Sequence, residues 1–223
     1  MVSSVGGLLM DGHERRSEMT RLELQRLEVG PWPMNCYLLR CPVSRQLAIV
    51  DPGADAEAIL RAAGNSPVRC ILLTHGHPDH VGALEAVREA TGAPVGIHAA
   101  DAATFGVQAD FPLIDGMEVS VGEALVTIAY VPGHTPGSVC LRLEGQALVG
   151  DAVFPGGPGH TASPQALRQS LDSLARTVFT WPDETELYPG HGTHTLVGAE
   201  RAAFRRFLET GISADLYGDV SWA

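Results

Sequence analysis

There is no lysine in the 223 residues; every one of the 15 basic side chains is an arginine. That excludes a Schiff-base lysine and a phosphate-loop lysine, and it narrows the ways in which an anionic substrate can be gripped. Positive charge is scarce altogether. The 15 Arg face 26 Asp and Glu, for a formal net charge of −11. A surface of that sign repels phosphate backbones, so nucleic acid is not expected as a partner. Long apolar runs are missing as well. None approaches the roughly 18 residues that a membrane span requires, and no membrane association is expected. The opening MVSSVGGLLMDGHERRSEM has neither the basic segment nor the apolar stretch of a signal peptide. Residues 1–20 read as a flexible leader, with Met10 or Met19 as alternative starts, ahead of one domain over residues 21–223. Cysteine pairing is absent too. Cys36, Cys41, Cys70 and Cys140 form no CxxC and sit in apolar, strand-like contexts, which reads as buried free thiols in a reducing cytoplasm.

What is present is a punctuated α/β pattern, with 25 Gly and 15 Pro marking many turns. Apolar or alternating runs predict strands over 22–29, 36–39, 47–50, 68–73, 95–98, 125–131, 139–143, 147–149 and 186–188. Helical spacing predicts helices over 54–63, 78–91, 99–105, 164–179 and 197–209, with Asp55 and Ser163 as N-terminal caps and Gly92 closing the second. A meander of strands, then strands alternating with helices, then strands again predicts two packed sheets with helices outside.

The chemistry gathers where predicted strands stop. LLTHGHPDHVG (72–82) holds three histidines and an aspartate within HGHPDH, directly after an apolar strand. His134 follows the strand in YVPGHTPGS, Asp151 the one in ALVGDAVF, and His191 the one in ELYPGHGTHT. A lone histidine is usually structural, but four such residues at one strand end have no packing rationale. His75 and His77 converge from an extended turn, whereas Asp79 and His80 begin the next helix and point elsewhere. Two divergent pairs suit two adjacent metals: His75, His77 and His134 on one, Asp79, His80 and His191 on the other, with Asp151 bridging through its two oxygens. Nitrogen and carboxylate ligands without thiolate suit zinc, iron or manganese. Metals about 3.5–4 Å apart lower the pKa of water to roughly 7 and polarise a carbonyl, and Asp79 is the group placed to hold the transferred proton. No Ser–His or Glu general-acid arrangement stands beside these motifs. A thiol of pKa about 8.5 needs no proton to leave, and an amine does. Thioesters and activated esters or lactones therefore fit better than amides.

THGHPDH, PGHTPGS, GDAVF and PGHG, with DPGAD at 51–55, resemble the metallo-β-lactamase fold superfamily over residues 35–207, and within it the glyoxalase II (hydroxyacylglutathione hydrolase) branch. The resemblance implies a four-layer αββα sandwich with two divalent metals, zinc foremost, at one edge of the sheets. It implies the same ligand assignment and hydrolysis of S-2-hydroxyacyl glutathione or a related small thioester. It also implies that Asp51 holds the loop and ligands from behind; from the residues alone, Asp51 reads equally as a turn residue in Asp-Pro-Gly. Two features depart from the branch. The residues after His191 suffice for one helix and a tail, not for the added helical domain of full-length glyoxalase II. GGPGHTAS presents His160 where the branch has an arginine. His160 and His194 read either as pocket-lining groups or as surface histidines. One alternative is a persulfide dioxygenase with a single iron on His75, His134 and Asp151; another is a lactone or ester hydrolase of the same fold. Seven intact ligand positions weigh against a non-catalytic module.

Overall fold

The computed structural model describes residues 20–222. The leader expected over residues 1–20, Thr20 apart, lies outside the described residues, as do both alternative starts. The first sheet has six strands in chain order: β1 (Glu23–Val29), β2 (Met34–Arg40), β3 (Leu47–Val50), β4 (Val68–Leu72), β5 (Val95–Ile97) and β6 (Phe111–Pro112). The first three pair antiparallel and the rest parallel. The second half starts again with β7 (Glu118–Val121), β8 (Ala124–Tyr130), β9 (Val139–Arg142) and β10 (Gln146–Gly150). A small hairpin follows, β11 (Val153–Phe154) with β12 (Gly157–Pro158), and then β13 (Glu186–Pro189) and β14 (Thr195–Leu196). The second sheet runs β14-β13-β10-β9-β8-β7, with β10 and β13 parallel.

Side-chain alternation accounts for the layering. In β2, β3 and β4, the residues Tyr37, Leu39, Ala48, Val50, Cys70 and Leu72 face the second sheet and meet Val126, Ile128, Leu141 and Leu148. The intervening Cys36, Leu38, Leu47, Ile49 and Ile71 face outward, beneath Ile59 and Ala63 of α1 (Ala56–Ala63) and Leu84 and Val87 of a later helix. Strands buried on both faces read as continuous apolar runs, as these do. The second sheet's outer face, Ala147, Val149 and Leu187, lies under Leu167, Leu171, Leu174 and Phe204 of the last two helices. The result is the expected αββα sandwich. All four cysteines are free and buried. None of the helices among the described residues is long and apolar enough to cross a membrane.

Several local expectations are corrected. The helix expected over 78–91 is two, α2 (Pro78–Val81) and α3 (Leu84–Thr91). At the break Ala83 N–H donates to Pro52 O (2.9 Å), and a Cβ on Gly82 would stand 2.4 Å from Gly53 O. The loop after β3 thus takes the place of a continuing helical turn. Asp55 occupies the N-terminal position of α1 without capping it; it is left-handed (φ 52°) and its carboxylate accepts from Gly30 N–H instead (2.8 Å). Ser163 does cap α5 (Pro164–Arg176), accepting from Ala166 N–H (3.2 Å), and left-handed Gly92 closes α3. The helix expected to reach 179 stops at Arg176, and a separate 3-10 turn spans Val178–Thr180. The expected strand over 95–98 gives up His98 to cap α4 (Ala99–Phe105).

Past α6 (Val197–Glu209) the chain returns to the β11–β12 loop. Gly218 and Thr161 exchange backbone hydrogen bonds (3.0 and 3.2 Å), and Trp222 N–H donates to Gly156 O (2.9 Å). The buried Glu200 carboxylate collects Trp222 Nε1 (2.8 Å), Gly156 N (3.0 Å) and Thr195 Oγ1 (2.7 Å). Trp222→Phe keeps the ring against Phe179 and Phe204 and removes one donor. We expect a loss of about 1 kcal/mol, read as a fall of roughly 2–4 °C in the thermal midpoint.

Candidate metal centre

The loops after β4, β8, β10 and β13 leave the same edge of the sandwich and bring together all seven residues marked by sequence. Their nitrogen and oxygen atoms form three overlapping groups, each spanning no more than 4.8 Å: His75–His77–His134, His75–His80–Asp151, and Asp79–His80–His191. His77 Nδ1 lies 3.1 Å from His75 Nε2 and 2.9 Å from His134 Nε2. His191 Nε2 lies 3.1 Å from Asp79 Oδ2. Asp151 stands between the groups, with Oδ1 3.4 Å from His80 Nε2 and Oδ2 3.7 and 3.8 Å from the Nε2 atoms of His134 and His191.

Which nitrogens are free to bind is fixed by what the others touch. His134 Nδ1–H donates to His160 O (2.8 Å) and His191 Nδ1–H to Pro33 O (2.8 Å). His80 Nδ1–H donates to Asp51 Oδ2 (3.1 Å). Thr74 spends its hydroxyl proton on the same oxygen (2.6 Å) and so accepts from His75 Nδ1–H (3.1 Å). His75, His134 and His191 therefore turn a bare Nε2 inward, His80 turns its Nε2 towards Asp151 Oδ1 (3.4 Å), and His77 turns its Nδ1 towards His75 and His134. Bare nitrogens at such separations repel unless a cation or a proton lies between them. His80 Nε2 and Asp151 Oδ1 are, moreover, buried and face each other at 3.4 Å without completing a hydrogen bond, which leaves both short of a partner that a cation would supply. The donor set therefore fits divalent metal ions.

The protonation preferences follow from the same crowding. Burial holds His75 well below the ordinary imidazole value, and its charged neighbours add to that. His77 and His134 are lowered by burial as well. Burial presses His80 the same way, but Asp151 and Asp51 on its two sides outweigh it and push it up to about 10. Burial alone would raise Asp151; His80, His134 and His191 override it and hold it below the ordinary carboxylate value.

Backbone clearance shapes the pocket. A Cβ on Gly190 would stand 2.2 Å from Asp151 Oδ1 and 2.4 Å from His80 Cε1. Gly190→Ala must push one of them aside, and displacements near 1 Å cost roughly 10–100-fold in rate. We expect that loss in turnover, together with reduced metal content measured on the purified variant.

His160 does not join the groups through its ring. The ring is exposed and pairs with Asp219 (3.0 Å); its backbone carbonyl is what reaches His134. His194 stacks on Tyr188 at 5.4 Å between ring centroids and is outside all three groups. The residues that sequence reasoning missed are mostly backbone: the carbonyls of Pro33 and His160 carry no residue-type signal. Thr74 was available to it, as a hydroxyl residue directly ahead of His75.

The profile of the metallo-beta-lactamase superfamily matches residues 29–208. The probable metallo-hydrolase YqgX of Bacillus subtilis is 33% identical over 203 residues, covering 81% of this chain and 95% of that protein. A hydroxyacylglutathione hydrolase of Anaeromyxobacter dehalogenans is 43% identical over 149 residues, which are 65% of this chain and 56% of that longer protein. The crystal structure of TTHA1623 in a di-iron-bound form matches with a TM-score of 0.66 and 31% identity, over 79% of this chain and 96% of that one.

Proposed function

The chain belongs to the metallo-beta-lactamase superfamily, and on that premise we propose that it is a metal-dependent hydrolase of small thioesters, S-2-hydroxyacyl glutathione or a related compound. The observation that carries the reading is the pair of inward-facing groups, His75–His77–His134 and Asp79–His80–His191, facing each other across the two oxygens of Asp151. In this reading each group would hold one divalent ion, zinc foremost with iron or manganese as alternatives, and Asp151 would serve both. Bound ions there would polarise a substrate carbonyl and bring the pKa of a water down towards 7. The protein's own groups do the rest. Asp79, exposed and 3.1 Å from His191 Nε2, takes the proton that the attacking water gives up. The carbonyls of Pro33 and His160 and the carboxylate of Asp51 take the Nδ1 protons of His191, His134 and His80, and so fix Nε2 as the ring nitrogen that faces the centre. A thiolate of pKa about 8.5 leaves without an acid, so an ester of a thiol needs nothing further from the chain.

The hydroxyacylglutathione hydrolase of A. dehalogenans supports the thioester. Arg168 and Arg176 of α5, the arginines between Asp151 and His191, donate to Ala214 O and Asp172 O, so the thiol carrier is one of the things the thioester panel decides. His160 and His194 stay candidates for contact with substrate. The four buried free thiols fit a cytoplasmic setting.

The test is metal analysis of the purified protein together with a thioester panel headed by S-lactoylglutathione. Two metal equivalents with thioester turnover are expected; no thioesterase activity at any metal loading would sink the proposal. Iron content alone does not separate this from a one-iron persulfide dioxygenase, since TTHA1623 takes iron in pairs on the same fold. One iron per chain with oxygen uptake on glutathione persulfide would favour the dioxygenase.

A further inference from the structure

Asp101, on α4, is far in sequence from every motif and supplies no atom to the three groups. Its carboxylate is nonetheless fully buried, and all of its bonds go to the two loops that carry one group. Oδ2 accepts from Gly76 N–H (2.9 Å), between His75 and His77, and from the Thr135 hydroxyl (2.7 Å), directly after His134. Oδ1 accepts from Gly137 N–H (2.6 Å). The fit is close: a Cβ on Gly137 would stand 2.7 Å from Asp101 Cγ.

The rest of α4 reaches the same loops independently. His98, its capping residue, stacks on Tyr130 (4.4 Å, 11°), whose hydroxyl donates to Pro136 O (2.7 Å). Phe105, at its other end, meets the His77 ring edge-on (5.1 Å, 78°). The Phe105 ring fills the space that a Cβ on Gly76 would need, 2.4 Å from its Cδ2. One short helix thus touches the His75–His77 loop and the His134 loop at both ends and through a buried charge in the middle. It makes no such bond to Asp79, His80 or His191.

We propose that Asp101 is a positioning residue for one metal only: it ties the His75–His77 loop to the His134 loop and so sets the three imidazoles of that group. The proposal rests on the reading that this group holds a metal. A carboxylate is required because three donors converge on it from two directions. Asparagine can accept at only one oxygen, and whichever way it turns, its NH2 opposes a donor on one of the loops.

The experiment measures Zn(II) affinity by competition with a chromophoric chelator, for Asp101→Asn placed in two backgrounds. His191→Ala leaves the His75–His77–His134 group as the complete one, and His77→Ala leaves the other. Partners that orient metal-binding side chains are worth roughly 10–100-fold in affinity. D101N is expected to weaken binding by about that factor in the H191A background and by less than twofold in the H77A background. Equal losses in both backgrounds, or none in either, would overturn the proposal. Should D101N not fold, Thr135→Val, which removes a single donor to the same oxygen, carries the same comparison with a smaller loss in H191A and none in H77A. If the parent protein binds no Zn(II), the metal reading itself fails, and that outcome is distinct from either result on Asp101.

Discussion

His134→Ala is expected to lower thioester hydrolysis by at least about 10³-fold and to remove about one metal equivalent, with the fold intact. The magnitude follows from what the group is proposed to supply. Lewis-acid stabilisation and an activated water are worth several kcal/mol, and each 1.36 kcal/mol is tenfold in rate. The fold should survive because His134 is on a loop after β8 and belongs to none of the three cores. Its ring makes one hydrogen bond to the backbone, at His160 O, and otherwise faces His77 at 2.9 Å. Without metal, that close pair of bare nitrogens is unfavourable, so removing one ring leaves the metal-free stability within about 1 kcal/mol of the parent, roughly 2–4 °C in the melt. With metal, the parent gains stability by mass action and the variant gains less. Thermal melts with chelator and with Zn(II), alongside metal content and S-lactoylglutathione turnover, make the check. Activity within tenfold of the parent would remove His134 from the centre.

The same residue shows how far sequence reaches. His134 was legible because an imidazole after a strand, followed by Pro-Gly-Ser, recurs in pattern with His75, His77, Asp151 and His191, and strand ends are where scaffolds present functional groups. The sandwich was legible because a strand meander, then strands alternating with helices, then strands again calls for two packed sheets with helices outside; β2, β3 and β4, buried on both faces, are what that covering hides. What escaped depends on contacts between distant segments. The break between α2 and α3 exists because Pro52 O takes Ala83 N–H and Gly53 crowds Gly82, and no helix periodicity registers a loop 30 residues upstream. Glu118–Val121 was missed because its half-exposed EVSV offers little apolar signal, although its hairpin with β8 is complete. The tautomers of His134 and His191 rest on carbonyls, which every residue has. Asp55 carried a genuine capping signal, but Gly30, brought near by the β1–β2 turn, competed for its carboxylate and won.

Asp51→Ala is the variant expected to cost the fold most, about 3–5 kcal/mol in the metal-free protein. Asp51 is 1% exposed and accepts from Thr74 N (2.7 Å), Thr74 Oγ1 (2.6 Å) and His80 Nδ1 (3.1 Å). Alanine leaves these donors buried and unmatched at about 1–3 kcal/mol each, near the 3–5 kcal/mol for stripping one partner from a buried charge pair. It also places a Cβ-only side chain at φ 51°, a left-handed position that Asp and Asn tolerate better than Ala. The loss should appear as a fall of roughly 10 °C in the chelator-treated melt, and metal affinity should drop about 10–100-fold as His75 and His80 lose their shared anchor. Asp51→Asn then separates the two roles that Asp-Pro-Gly allowed. If Asp51 served only the turn, asparagine would replace it without effect, since it favours the same backbone and the same turn. If it holds the centre, asparagine keeps the turn but turns an NH2 group towards Thr74 or His80. Metal affinity then falls severalfold while the melt shifts by less than half of what alanine causes. A parent-like affinity in D51N would return Asp51 to the turn.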